Sequence, residues 1–148
     1  MKNMIGFKEN KIVNLSNVSN ILLDERNNRV VFNLSNSIKI FNNKFTPDYV
    51  YWRYDTDEEL QSIVELIESS EIDWIMPIEA GQHYISTDHI ATITTDSNNS
   101  LRVIFNLNSS VTHPKDPEKV ISDFVFHDFK DPNNYKDFIE YISSNIKK

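Results

Sequence analysis

Cysteine is absent from the 148 residues, which excludes disulfides, thiolate metal sites and cysteine nucleophiles. Glycine is almost absent too, at Gly6 and Gly81 only. Phosphate-cradling loops need several glycines, so that the backbone can approach the anion. Nucleotide-binding loops and dinucleotide folds are therefore not expected. No apolar run approaches the roughly 18 residues of a membrane span. The opening stretch "MKNMIGFKENKIVNL" has neither a long apolar centre nor a small-residue cleavage site, so no signal peptide is expected. The four histidines, His83, His89, His113 and His127, lack helical metal-ligand spacing, and no GxSxG nucleophile turn occurs. The expectation is a soluble cytoplasmic protein that is not an enzyme and uses no metal and no cofactor.

What is present is enough apolar matter for a core, 39% hydrophobic and 11% aromatic residues. Turns draw on asparagine, as in "ERNNR", "FNNK" and "DSNNS", because Asn tolerates left-handed backbone. Heavy Asn, Ile and Lys usage suggests an AT-rich genome, that of a phage or an AT-rich bacterium. For a phage protein the compartment would be the host cytoplasm.

The stretch "RVVFNLSNSI" from Arg29 returns as "RVIFNLNSSV" from Arg102. The match extends both ways. Val13, Val18, Ile21 and Asp24 align with Ile85, Ile90, Ile93 and Asp96, and "PDYVYWRYD" aligns with "SDFVFHDFK". Leu60, Ile63, Val64 and Ile67 then align with Tyr135, Phe138, Ile139 and Ile142. This pattern predicts a tandem duplication, repeat 1 over 1–72 and repeat 2 over 73–148, folded as one pseudo-twofold domain over 1–148.

Each unit reads as three or four strands followed by a helix. "NLSNVSNILLD" and "RVVFNLSNSI" alternate as strands joined by an Asn-Asn turn. In the second, Val30, Phe32 and Leu34 share one face, and Arg29, Val31, Asn33 and Ser35 the other. "DYVYWRYD" is a third strand, aromatic on both faces, and "MIGF" and "WIMPI" are candidate opening strands. In "TDEELQSIVELIESS" the period becomes helical, with Leu60, Ile63, Val64 and Ile67 as the apolar stripe. Thr56 and Glu59 form a capping box, and Asp131 with Pro132 starts the second helix. The predicted class is α+β, with antiparallel sheets and two helices.

Net charge is −7, with seven Lys and Arg against three acids in residues 1–47 and ten acids against Arg53 alone in 48–80. A mildly basic sheet region thus precedes a strongly acidic helix region. In strand order, "VNLSNVSNILLDERNNRVVFNLSNSI…DYVYWRYDTDEELQSIVELI" and its second copy resemble the Whirly family of single-stranded DNA-binding proteins and the related positive-cofactor coactivator fold. The resemblance implies binding of single-stranded nucleic acid across the sheets, often in a homo-oligomer. The Lys-Gly-rich strand signature of Whirly proteins is absent, so no residue role carries over from that family.

The expected function is non-enzymatic binding of single-stranded DNA or RNA, with a regulatory role in replication or transcription. Lys8, Lys11, Arg29, Lys39, Lys44, Arg53 and Arg102 would meet phosphates. Trp52 and Tyr54 would stack on bases, beside outward-facing Asn33 and Asn106. The alternative is a protein-interaction module, such as a phage-encoded inhibitor or adaptor, acting through the acidic segment 55–73 and exposed aromatics. A third reading is a structural oligomer built by edge-strand pairing.

Overall fold

The helical period after each aromatic strand becomes a helix. In the computed structural model, which describes residues 3–6, 11–41, 44–77, 83–95, 101–113 and 116–146, α1 spans Asp57–Glu68 and α2 spans Pro132–Asn145. Thr56 caps α1 by accepting from the Glu59 amide at 3.2 Å, and the Glu59 carboxylate accepts from the Asp55 amide at 2.7 Å. Two backbone donors at the helix entrance are thereby satisfied. Asp131 caps α2 through the Asn133 amide at 2.8 Å, with Pro132 opening the helix.

The strands among the described residues are β1 (Met4–Gly6), β2 (Ile12–Asn14), β3 (Val18–Asp24), β4 (Arg29–Phe41) and β5 (Lys44–Arg53) in the first half. In the second half they are β6 (Trp74–Ile75), β7 (His83–Ser86), β8 (Ile90–Thr95), β9 (Arg102–His113) and β10 (Asp116–Asp128). "NLSNVSNILLD" is not one continuous strand. A 3₁₀ turn at Leu15–Asn17 divides it, and Thr87–His89 divides its counterpart. The Asn14 side chain accepts from the Ser16 amide at 3.1 Å, a local partner that competes with the ladder. The first Asn-Asn turn ends at Asn28, whose φ of 50° is left-handed, the conformation Asn adopts at little cost. "WIMPI" forms only two strand residues before Pro77, since proline has no N–H for the ladder.

All pairings are antiparallel, and the architecture is α+β. Five strands run in the order β5-β4-β3-β7-β6, three in the order β10-β9-β8, and β1 pairs with β2. The β3–β7 contact, Asn20↔Ile85 to Leu22↔His83, carries a strand from the second half into the sheet of the first. Elsewhere the two halves pair alike. Val18↔Leu34 and Asn20↔Asn33, with a register shift between them, correspond to Ile90↔Leu107 and Thr92↔Asn106.

One core lies between the inner face of the large sheet and α1, built from Ile21, Val30, Phe32, Trp52, Ile63 and Ile67. A second gathers Val103, Phe105, Leu107, Phe129 and Phe138 around α2, together with Ile75 and Ile85. The β6–β7 hairpin therefore feeds both cores, because Tyr84 belongs to the first and Ile85 to the second. The period of two explains this: neighbouring residues of a strand point to opposite faces.

Candidate nucleic-acid interface

Alternation along β5 decides which rings reach solvent. Val50 and Trp52 point toward α1, so Tyr49, Tyr51 and Arg53 occupy the other face. Trp52 is 0% exposed and Tyr54 6% exposed, and both lie in the first core. The expectation that these two stack on bases is thus corrected: their rings are used inside. Trp52 meets Phe32 edge-on at 4.9 Å between ring centroids, a favoured aromatic geometry. Burial raises the Tyr54 phenol, and Glu25, Asp57 and Asp24 raise it further.

The rings on this face are Tyr49 and Tyr51, stacked with centroids 6.4 Å apart and planes at 30°. Tyr49 is 49% exposed, and Tyr51 is half-buried. Three cations surround Tyr51: Lys11 Nζ at 5.0 Å from the ring centroid, Arg29 Cζ at 5.5 Å and Arg53 Cζ at 5.7 Å. The antiparallel register produces this cluster, because Arg29 faces Arg53 and Val31 faces Tyr51. Lys11 Nζ also donates to the Tyr51 carbonyl at 3.4 Å. Arg29 Nε donates to Asp24 Oδ2 at 2.8 Å. Hydrogen bonds from Asn27 and then Arg29 hold the Asp24 carboxyl below the usual carboxylate range.

The second half builds the same ring pair with the charge cancelled. Phe124 and Phe126 stack at 6.3 Å and 29°, and Arg102 Cζ sits 4.3 Å from the Phe126 ring. Where Arg29 faces Arg53, Arg102 faces Asp128. Arg102 grips that carboxylate with Nε at 2.6 Å and Nη2 at 2.9 Å, a bidentate, charge-assisted pair. Arg102 therefore neutralises Asp128, which is held below its ordinary value chiefly by this hydrogen bond.

Asn33 and Asn106 lie opposite Tyr49 and Phe124 in the register, on the ring face, but are half-buried and donate across the sheet, to Asn20 Oδ1 at 2.9 Å and to Thr92 Oγ1 at 2.8 Å. Lys8 lies outside the described residues, and Lys39 and Lys44 lie in the far parts of β4 and β5, where the side chains are outside the description. The site thus unites Lys11, Arg29 and Arg53 with Tyr49 and Tyr51, two residues that the sequence reading omitted. Alternation would have found them, since Trp52 and Arg53 cannot share one face of a strand.

Asn20 Oδ1 is also 3.0 Å from His83 Nε2. Burial, and secondarily His127, lower the His83 imidazole from 6.5 to about 4. His89 Nε2 lies 2.8 Å from the Ser16 carbonyl, and His127 packs edge-on against Phe129 at 4.5 Å. Among the described residues no three His, Asp or Glu side chains converge in a way that could hold a metal ion. No helix among them is long and apolar enough to cross a membrane. No protein-family model, curated protein or solved structure matches the chain.

Proposed function

We propose that the protein binds single-stranded nucleic acid, DNA or RNA, through Tyr49 and Tyr51, with Lys11, Arg29 and Arg53 meeting the phosphates. One observation carries the reading: three cations are gathered around Tyr51, which stacks on the exposed Tyr49, within an acidic chain. Rings offer sequence-tolerant stacking on unpaired bases, and nearby cations neutralise the backbone that connects them. The resemblance of the strand-rich units to Whirly and positive-cofactor proteins supports the same reading, with a regulatory role in replication or transcription and no turnover of substrate. The acidic face of α1, with Asp57, Glu58, Glu65 and Glu68 exposed, repels the strand and directs it to β5.

A second reading rests on Phe124 and Phe126, which are 50% and 47% exposed. With Arg102 and Asp128 cancelling, this ring pair suits the apolar centre of a protein interface better than a phosphate chain. An inhibitor or adaptor would use it.

Fluorescence anisotropy of a labelled single-stranded oligonucleotide separates the two readings. Removing both rings, Tyr49→Ala with Tyr51→Ala, should weaken binding at least tenfold, since each stack contributes about 1–3 kcal/mol. Phe124→Ala with Phe126→Ala should leave the affinity unchanged. The reverse pattern would move the binding site to β10.

A further inference from the structure

Edge strands of natural sheets discourage an incoming strand with charges, proline or short length. β5 carries Lys44, Pro47, Asp48 and Arg53, and β10 carries Asp116, Pro117, Glu118 and Lys119. β6 has two residues and runs into Pro77. β8 departs from this pattern. It reads Ile-Ala-Thr-Ile-Thr-Thr, with no charge and no proline, and Ala91, Thr92, Thr94 and Thr95 are exposed.

Among the described residues only β9 pairs with β8. Its counterpart by register, β3, is covered on the same edge by β7. Among the described residues there is thus a covered and an uncovered strand in corresponding positions. Beside the uncovered one lies a cleft of about 320 Å³, lined by Ile75, Ile93, Tyr141, Ile142 and Ile146 with Asp73, Thr87 and Asn145 among them. Tyr141 and Ile146 at its mouth are both more than half exposed.

We propose that β8 is the homodimerisation edge of this protein, pairing antiparallel with β8 of a second copy about a twofold axis at Ile93. Self-complementarity selects this occupant. With −7 on each chain two copies repel on average, and β8, six residues without a charged side chain, adds no charge of its own to the pair. The segment Thr92-Ile93-Thr94 reads the same in both directions, so a twofold pair sets isoleucine on isoleucine and threonine on threonine. Such an isologous contact is self-complementary. Ile93 packs on the α2 side, so both isoleucines fall beside the apolar walls of the two clefts. Thr92 and Thr94 meet on the opposite face, where β-branched cross-strand pairs stabilise a sheet. The two three-stranded sheets become one continuous sheet.

Light scattering coupled to size exclusion tests this over a micromolar concentration series. The 148-residue chain should run at twice its 17.3 kDa mass. Thr94→Lys brings two introduced charges to diagonal cross-strand distance, about 7–8 Å, and should return the mass to that of one chain with an unchanged circular dichroism spectrum. Thr94→Val should stay dimeric. Thr92→Glu, which also sets its two copies at diagonal distance, provides the same reading if Thr94→Lys does not fold. A parent protein at single-chain mass throughout, or a folded charge variant that remains dimeric, overturns the proposal.

Discussion

Replacing Trp52 by alanine separates a stacking ring from a core ring. The indole is fully buried among Val30, Phe32 and the apolar stripe of α1, and its edge-on contact with Phe32 is lost with it. Removing a buried Trp costs about 3–5 kcal/mol through lost transfer energy and the cavity left behind. Zero exposure and the aromatic contact place this site toward the upper part of that range, about 4 kcal/mol. Domains of this size are stable by about 5–15 kcal/mol, so the loss is a large fraction of the total. With a urea dependence of about 2 kcal/mol per molar, the unfolding midpoint should fall by about 2 M. Circular dichroism against urea measures it without relying on the remaining tryptophan, Trp74. A midpoint that stays at the parent value, accompanied by lost oligonucleotide binding, would refute the placement of the ring and the face assignment of β5 that follows from it.

Thr56→Ala should cost about 1 kcal/mol, because the Glu59 amide at the start of α1 loses its side-chain acceptor; the urea midpoint checks it. Acidification should weaken the fold through His83. Its folded-state value of about 4 lies below the unfolded 6.5, so the unfolded chain binds the proton first. The stabilisation is complete above about pH 6.5, declines as pH falls, and is gone below about 4. The shift corresponds to on the order of 3 kcal/mol. His83→Gln, which keeps a donor near Asn20 and cannot titrate, should flatten urea midpoints across that window.

Local physics made much of this architecture readable. The helices follow from a 3.6-residue stripe and from capping pairs within four residues, Thr56 with Glu59 and Asp131 with Pro132. The left-handed Asn28 follows from the Asn-Asn pair. Non-local choices were not readable. Nothing in "HYIS" states that β7 will leave its own half and pair with β3, since that depends on which edge is free once both sheets have formed. β5 misled for a related reason. It has aromatics on both faces, so composition does not say which face meets α1, and Trp52 was assigned to solvent when it belongs to the core. Arg29 opposite Arg53 was the stronger guide, because a register pair shares a face and carries Tyr49 and Tyr51 with it. The charge reversal from Arg53 to Asp128 was visible in the aligned segments, but its effect on Arg102 required the paired strands.

Arg29 and Arg53 on one strand pair, with Lys11 beside them and two tyrosines, would hold a single-stranded nucleic acid. The most direct test is the salt dependence of oligonucleotide affinity for the parent and for Arg53→Asp. Each phosphate neutralised on a single strand contributes about 0.7 to the slope of log affinity against log salt. Lys11 and Arg53, with Arg29 shared with Asp24, predict a slope of about −1.4 to −2. Arg53→Asp reproduces the neutralised arrangement of Arg102 and Asp128, and should bring the slope to about −1 or shallower with weaker binding at every salt concentration. Undetectable binding at low salt, or a steep slope that Arg53→Asp leaves unchanged, would contradict the account.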